Sequence, residues 1–153
     1  MNDIHVFLAH AVRLEAEAAR RFEELAEQMR SAGNAEVQDF FKQMAEFSRR
    51  HLAEATARSG FRPLPDLQPD EFQWPDGTSP ETAAWSGVDG MMGVEDALQL
   101  ALESERAGHA FYAMIATNTT NPRVKAAADE FTQEEAEHVA ELERWVLRYG
   151  VPG

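Results

Sequence analysis

An apolar stripe near the carboxyl end of the chain contains one glutamate and one histidine. The stripe advances in alternating steps of four and three residues, which is the spacing of one face of an α-helix. Its members are Val124, Ala128, Phe131, Glu135, His138, Leu142 and Trp145. A charge buried in such a face is costly unless it is paired or coordinates a metal. Glu135 and His138 are therefore a candidate metal-ligating pair; the alternative is a solvated glutamate beside a core histidine.

Three more stripes with the same spacing predict three further helices. The first contains Ile4, Leu8, Ala11, Glu15, Ala18, Phe22, Leu25 and Met29. The second contains Val37, Phe41, Met44, Ser48, His51 and Ala55, and the third contains Leu98, Ala101, Glu105, Gly108, Tyr112 and Ile115. Asn2 or Asp3 can cap the first helix, and Asn121 with Pro122 can begin the last. The sequence predicts helices near 3–31, 35–58, 94–117 and 122–148.

The segment 61–93 differs from the rest of the chain because it is rich in proline and glycine. Long helices are improbable there. A connection of this length suits a crossover between the two ends of a four-helix bundle, with a flexible linker as the alternative. Large apolar residues that could hold it against the bundle are Phe61, Leu64, Leu67, Phe72, Trp74 and Trp85. We expect residues 1–153 to form one domain.

The composition of the chain argues against several classes of binding partner and several kinds of site. The chain has 14 Lys and Arg against 27 Asp and Glu, and its net charge of −13 argues against nucleic acid and anionic membranes. The sequence contains no cysteine, which excludes disulfides, thiolate metal sites and a catalytic thiol. The amino terminus has no signal-peptide pattern and no apolar run is long enough to span a membrane, so we expect a soluble cytoplasmic protein.

The two halves of the chain repeat one pattern. In each half, a helix with one inward glutamate, Glu15 or Glu105, precedes a helix with an inward histidine, His51 or His138. The repeat breaks where Ser48 stands in the position that corresponds to Glu135.

Oxygen and imidazole ligands without sulfur suit iron, manganese or zinc, and two-metal sites share bridging carboxylates. The sequence therefore predicts a metal site in a helical core, formed by Glu15, His51, Glu105, Glu135 and His138.

These motifs together resemble the rubrerythrin branch of the ferritin-like superfamily. The resemblance rests on E-x-x-A-x-x-x-F from Glu15, E-R-A-x-x-x-F-Y from Glu105, E-x-x-H from Glu135 and the long crossover, and it covers nearly the whole chain. It implies an all-α ferritin-like four-helix bundle with a non-haem di-iron centre that reacts with peroxide or oxygen. It implies Glu15, Glu105, Glu135 and His138 as metal ligands and His51 as the second histidine. It also suggests a homodimer, and a catalytic protein of this kind would need an external electron donor.

Three departures from the family pattern leave other functions open. Ser48 and Gly108 stand where rubrerythrins carry glutamates, and the cysteine-ligated rubredoxin tail has no counterpart in this sequence. There are two alternatives to the reduction of peroxide or oxygen. The protein could bind or store iron without catalytic turnover, or it could be a structural bundle that has lost its metal site. Because Ser48 removes one carboxylate, we expect the metal position near His51 to bind more weakly than the one near His138. Glu46 and Glu54 do not share the inward face and cannot compensate.

Several other residues receive structural roles. We expect His109 to pack beside the site, with a role as a metal ligand as the alternative. We expect His5 and His10 to lie on the surface, and Met91 and Met92 to pack at the end of the crossover. Tyr112 is expected in the core, with a hydrogen bond to a ligand carboxylate as the alternative.

Overall fold

The protein was analysed as a computed structural model that describes residues 1–60, 62–75, 77–80 and 93–150. Four long helices account for most of these residues, and none of the described residues is in a strand. The predicted all-α class with four helices is therefore confirmed. None of the helices in these ranges is long and apolar enough to cross a bilayer.

Helices α1 (Ile4–Ser31) and α2 (Ala35–Ala57) form the first hairpin. Asp3 caps α1, since its side chain accepts hydrogen bonds from the backbone N–H groups of His5 and Val6. The turn between the helices uses Gly33 at a φ of 77°, where a residue without Cβ is favoured. Asn34 then caps α2 by accepting from the Val37 N–H. Local capping chemistry thus fixes the tight turn that makes the helices antiparallel.

Helices α3 (Val94–Asn118) and α4 (Pro122–Tyr149) form the second hairpin. Asn121 caps α4 by accepting from the Arg123 N–H, and Pro122 occupies the first helical position, where its missing N–H is not needed. The Asn2 side chain accepts a hydrogen bond from the Thr120 N–H, which joins the start of α1 to this connection. All four helix ranges agree with the sequence prediction to within one or two residues.

The interior consists of two apolar clusters stacked along the bundle. The four helices contact one another chiefly as the pairs α1 with α2 and α3 with α4. One cluster includes Phe22, Phe41, Met44, Leu98 and Leu142. The other includes Phe7, Leu14, Phe111, Tyr112 and Phe131. Full burial of one large apolar side chain contributes about 1.5–3 kcal/mol, so these clusters are the main source of stability.

The described part of the 61–93 segment contains no long helix, as its prolines predict, and has one short 3₁₀ helix, Pro69–Glu71. Leu64 and Trp74 pack against the second cluster, and the Phe72 and Trp74 rings stack 5.3 Å apart. These contacts hold residues 62–75 against the bundle, as a crossover requires. Phe61, Trp85, Met91 and Met92 lie outside the described residues.

The prediction that His10 is a surface residue is wrong. His10 is completely buried, and its ring lies 4.8 Å from that of Trp74 and 5.0 Å from that of Phe72. Its Nε2 accepts a hydrogen bond of 2.8 Å from the Gln73 backbone N–H, while Nδ1 lies 2.8 Å from the Val6 carbonyl oxygen. The crossover covers this turn of α1, which helical periodicity alone does not reveal. His5, in contrast, is only half-buried.

Candidate metal centre

A layer of polar residues separates the two apolar clusters. On each helix, the inward polar residue lies between a residue of one cluster and a residue of the other: Glu15 follows Leu14 and precedes Ala18, for example. The layer consists of Glu15, Ser48, His51, Glu105, Glu135 and His138, all of them buried. Burial of several ionisable groups in one layer costs several kcal/mol for each charge unless a counter-ion is present.

The Glu135 carboxylate lies between the two histidines. Its Oε1 is 3.9 Å from His51 Nδ1, and its Oε2 is 3.9 Å from His138 Nδ1. The two imidazole rings stack with centroids 5.0 Å apart and planes inclined by 8°. Glu135, His51 and His138 can each offer a ligand atom within 4.8 Å of the other two. A single carboxylate with one oxygen toward each histidine is the arrangement expected of a bridging ligand.

Glu15 and Glu105 complete two groups of donors, one beside each histidine. Glu15 Oε2 lies 3.7 Å from His51 Nδ1, and Glu105 Oε2 lies 3.9 Å from His138 Nδ1. We call the group of Glu15, His51 and Glu135 the His51 position, and the group of Glu105, His138 and Glu135 the His138 position. Each position therefore has one imidazole nitrogen, one terminal carboxylate and one oxygen of the shared Glu135.

The pKa values of the buried carboxyl groups depend on their burial and on their short distances from one another. Burial, together with the charges of Glu105 and Glu15, raises the pKa of Glu135 well above its ordinary value. Burial also acts to raise the pKa of Glu105, but the neighbouring Glu135 carboxyl and the His138 ring outweigh it, and the net shift is downward. Of these two carboxyl groups, Glu135 is thus the one that holds a proton more tightly. A divalent cation would replace this proton, because it supplies the positive charge that the carboxylates need.

Two buried polar atoms of the layer have no hydrogen-bond partner among the described residues. They are His138 Nδ1 and Glu135 Oε2, which face each other in the His138 position. Buried polar atoms are almost always hydrogen-bonded, so a facing pair of unsatisfied polar atoms needs a specific explanation. A metal ion bound here would satisfy both atoms, and the nitrogen and oxygen donors present fit iron, manganese or zinc.

Tyr112 fixes the orientation of Glu15. The tyrosine is completely buried, and its hydroxyl donates a hydrogen bond of 3.1 Å to Glu15 Oε1, which leaves Oε2 toward His51. Burial, reinforced by the charge of Glu15, raises the pKa of Tyr112 well above its ordinary value, so the hydroxyl remains a donor. Both roles considered for Tyr112, core packing and a hydrogen bond to a ligand carboxylate, are therefore observed.

The layer is reached from one side of the bundle. A cavity of about 520 Å³ lies between α2 and α4, and His51 and His138 are part of its wall. Phe40, Met44 and Phe47 form an apolar part of this wall, and Phe47 lies over the His138 ring at a centroid distance of 5.4 Å. His51 and His138 are the residues of the polar layer that line this cavity.

The structure brings together all five residues predicted as metal ligands: Glu15, His51, Glu105, Glu135 and His138. Glu103 is exposed, as expected for the opposite face, and His109 is half-buried outside the histidine and glutamate cluster found among the described residues.

Sequence reasoning missed Glu134, whose Oε2 lies 3.2 Å from His51 Nε2. Glu134 is three residues from Phe131 and four from His138, which places it at the edge of the apolar stripe of α4. This spacing was the sequence signal that Glu134 lies near the site.

Similarity to known proteins agrees with this geometry. The Rubrerythrin family model matches residues 7–60. The crystal structure of an uncharacterized conserved protein from Magnetospirillum magnetotacticum MS-1 superposes with a TM-score of 0.78 at 37% sequence identity, covering 96% of this chain and 95% of that chain. The chain belongs to the rubrerythrin-related ferritin-like family. No curated protein gives a significant match.

Two departures of this rubrerythrin-related protein from the family pattern, Ser48 and Gly108, lie at the polar layer itself. Ser48 is buried in the layer. A Cβ added at Gly108 would lie 4.0 Å from Glu135 Oε2, so a side chain there would begin beside the His138 position. Glycine thus leaves room next to one position, and serine contributes a neutral hydroxyl near the other. Unequal metal affinity of the two positions stays a prediction.

Proposed function

We propose that the polar layer binds two iron ions and that the protein is a non-haem di-iron oxidoreductase that reduces peroxide or oxygen. The observation that carries the proposal is the Glu135 carboxylate, with one oxygen directed at each histidine. Family membership supports iron as the metal, and manganese or zinc would fit the same donors. The proposed ligands are Glu15 and His51 at one position, Glu105 and His138 at the other, and Glu135 at both.

The residues of the chain have separable roles in this proposal. Glu135 holds the two positions together, and Tyr112 keeps Glu15 oriented toward the His51 position through its hydrogen bond. The apolar clusters exclude water from both ends of the layer, and the cavity between α2 and α4 admits the oxidant beside the histidines. When bound, the iron pair supplies the two electrons that reduction of hydrogen peroxide to two waters requires.

The electrons must come from outside the chain, because the sequence has no cysteine-ligated iron centre to supply them. We therefore propose an external electron donor. We also propose that the protein is a homodimer, as the family resemblance suggests. Sedimentation of the purified chain tests the dimer, and a mass equal to one chain would contradict it.

The proposal is tested by metal analysis together with peroxide consumption. The protein is purified without chelators, loaded with ferrous iron without oxygen, and mixed with peroxide and a chemical reductant. We expect two iron ions per chain and repeated turnover. Bound iron without turnover would support binding or storage instead, and failure to bind iron would contradict the metal centre.

The Glu135→Ala variant tests the shared ligand. We expect it to lose most of its bound iron, because truncation removes an oxygen from each position at once. Glu103→Ala is the matched control, since Glu103 is an exposed carboxylate two residues from Glu105. Equal losses in the two variants would contradict the assignment.

A further inference from the structure

His51 has an additional acidic neighbour that does not belong to either group of donors. Glu134, the residue before Glu135 on α4, places its Oε2 3.2 Å from His51 Nε2, on the opposite side of the ring from Glu15 and Glu135. The same oxygen is buried and makes no hydrogen bond within the described part of the chain. The two atoms are thus within ion-pair distance but are not aligned as a hydrogen bond.

The proton distribution on His51 follows from this geometry. Its Nδ1 faces Glu15 and Glu135, so Nδ1 is the atom that would bind a metal and must carry no proton there. The remaining proton of the neutral ring then lies on Nε2, which faces Glu134. Metal-ligating histidines generally donate this second N–H to a carboxylate or carbonyl, which fixes the ring orientation and makes the ligand more basic.

Charge balance gives Glu134 a second role. Two divalent cations carry four positive charges, and Glu15, Glu105 and Glu135 supply three negative charges. Ser48 supplies none where the internal repeat predicts a fourth carboxylate. Glu134 stands on the His51 side of the layer, the side that Ser48 leaves short of charge. His138, in contrast, has no carboxylate within 4.0 Å other than Glu105 and Glu135 in the described ranges of the chain.

We propose that Glu134 is a positioning residue for the metal ligand His51: when Nδ1 of His51 binds a metal, Glu134 accepts a hydrogen bond from Nε2–H of the same ring and supplies the fourth negative charge that Ser48 does not. This inference rests on the proposed metal centre. It is specific to the His51 position and predicts no effect on the His138 position. Glu54 and Glu130 have carboxylate oxygens within 4.8 Å of Glu134, but neither lies within ion-pair distance of His51.

The test is a zinc titration followed by nitrogen NMR of the two histidine rings, in which the ring shifts report coordination at His51 and His138 separately. Zinc is used because it is diamagnetic and binds nitrogen and oxygen donors. In Glu134→Ala we expect affinity at the His51 position to fall about 10–100-fold, as for lost outer partners of metal-bound histidines. Affinity at the His138 position should not change. Glu134→Gln, which keeps an acceptor but not the charge, should lose less.

Glu137→Ala is the matched control. Glu137 is an exposed carboxylate on α4 that borders the same cavity but makes no ion pair with either histidine among the described residues. Loss of affinity at both positions in Glu134→Ala, or equal changes in Glu134→Ala and Glu137→Ala, would overturn the positioning role. So would unchanged zinc binding in Glu134→Ala. A wild-type chain that binds no metal would instead overturn the proposed function, and this inference with it.

Discussion

At the scale of single residues, Glu135 is a carboxyl group buried among other ionisable groups. It is 2% exposed and lies among Glu15, Glu105 and two histidines, and its pKa is raised by burial and by the neighbouring carboxylates. A carboxyl group that keeps its proton in the folded state but loses it in the unfolded state makes folding less favourable as the pH increases. The metal-free protein should show this dependence.

Glu135→Gln isolates the contribution of Glu135 to the pH dependence of stability. Near the ordinary glutamate pKa of 4.5, the variant and the wild type should have similar free energies of unfolding without metal. At about pH 8 the variant should be more stable, by about 1.4 kcal/mol for each unit by which folding raises the pKa. Urea unfolding in the presence of a chelator measures the difference. Glu103→Gln is the control, and a difference that does not grow with pH would contradict the assignment.

The inward residues were predictable because a helix repeats its face every three or four residues, so Glu15, Glu105 and Glu135 stand out in apolar stripes. The spacing of Glu134 places it at the edge of the α4 stripe, but its contact with His51 was not predictable from one sequence. It depends on the rotation of α4 relative to α2, and no spacing along the chain encodes that rotation. The burial of His10 was missed for a related reason, since a proline-rich segment far along the chain covers it.

At the scale of secondary-structure elements, the crossover is attached to α1 through neutral His10. The ring can accept the Gln73 N–H only while Nε2 carries no proton, and Nδ1 donates to the Val6 carbonyl. Burial lowers the pKa of His10 against an opposing effect of the Val6 carbonyl. The rings of Phe72, Trp74 and Phe111 also contact His10, and they offer it no counter-charge.

His10→Phe tests this attachment. Because the folded pKa is below the ordinary value of 6.5, the stability that neutral His10 contributes is present above pH 6.5 and is lost as the pH falls below it. The variant leaves the Gln73 N–H unpaired, and we expect a loss of about 1–3 kcal/mol at neutral pH.

The loss caused by His10→Phe should shrink in acid, because the wild type then loses the same contribution. Unfolding measured at several pH values, with amide hydrogen exchange of residues 62–75, checks both effects. His109→Phe, at a half-buried histidine of α3, is the control. A loss of stability that is the same at every pH would show that His10 acts by packing alone.

At the scale of the whole molecule, the polar layer joins two hairpins that otherwise contact each other less than their own helices do. The proposed ligands come from all four helices: Glu15 from α1, His51 from α2, Glu105 from α3, and Glu135 with His138 from α4. Bound metal would therefore link both hairpins and remove the repulsion among the buried carboxylates. Stability of the bundle and occupancy of the centre should be coupled.

Metal binding should raise the free energy of unfolding by an amount set by mass action. For one site, a free metal concentration about 100 times the dissociation constant gives about 2.7 kcal/mol. Thermal unfolding with and without chelator measures the change, and amide exchange should slow in all four helices together. Glu135→Ala should show little metal-dependent stabilisation. If metal binding slowed amide exchange in only one hairpin, the metal site would not link the two hairpins, and the expected coupling would be contradicted.

The central claim is that two metal ions share the Glu135 carboxylate between His51 and His138. Anomalous diffraction at the iron absorption edge, from crystals of the iron-loaded protein, tests this most directly because it locates the iron atoms themselves. We predict two peaks, one among Glu15, His51 and Glu135 and the other among Glu105, His138 and Glu135. A peak only at the exposed cluster of Glu54, Glu130 and Glu134, or no peak in the polar layer of an iron-loaded crystal, would contradict it.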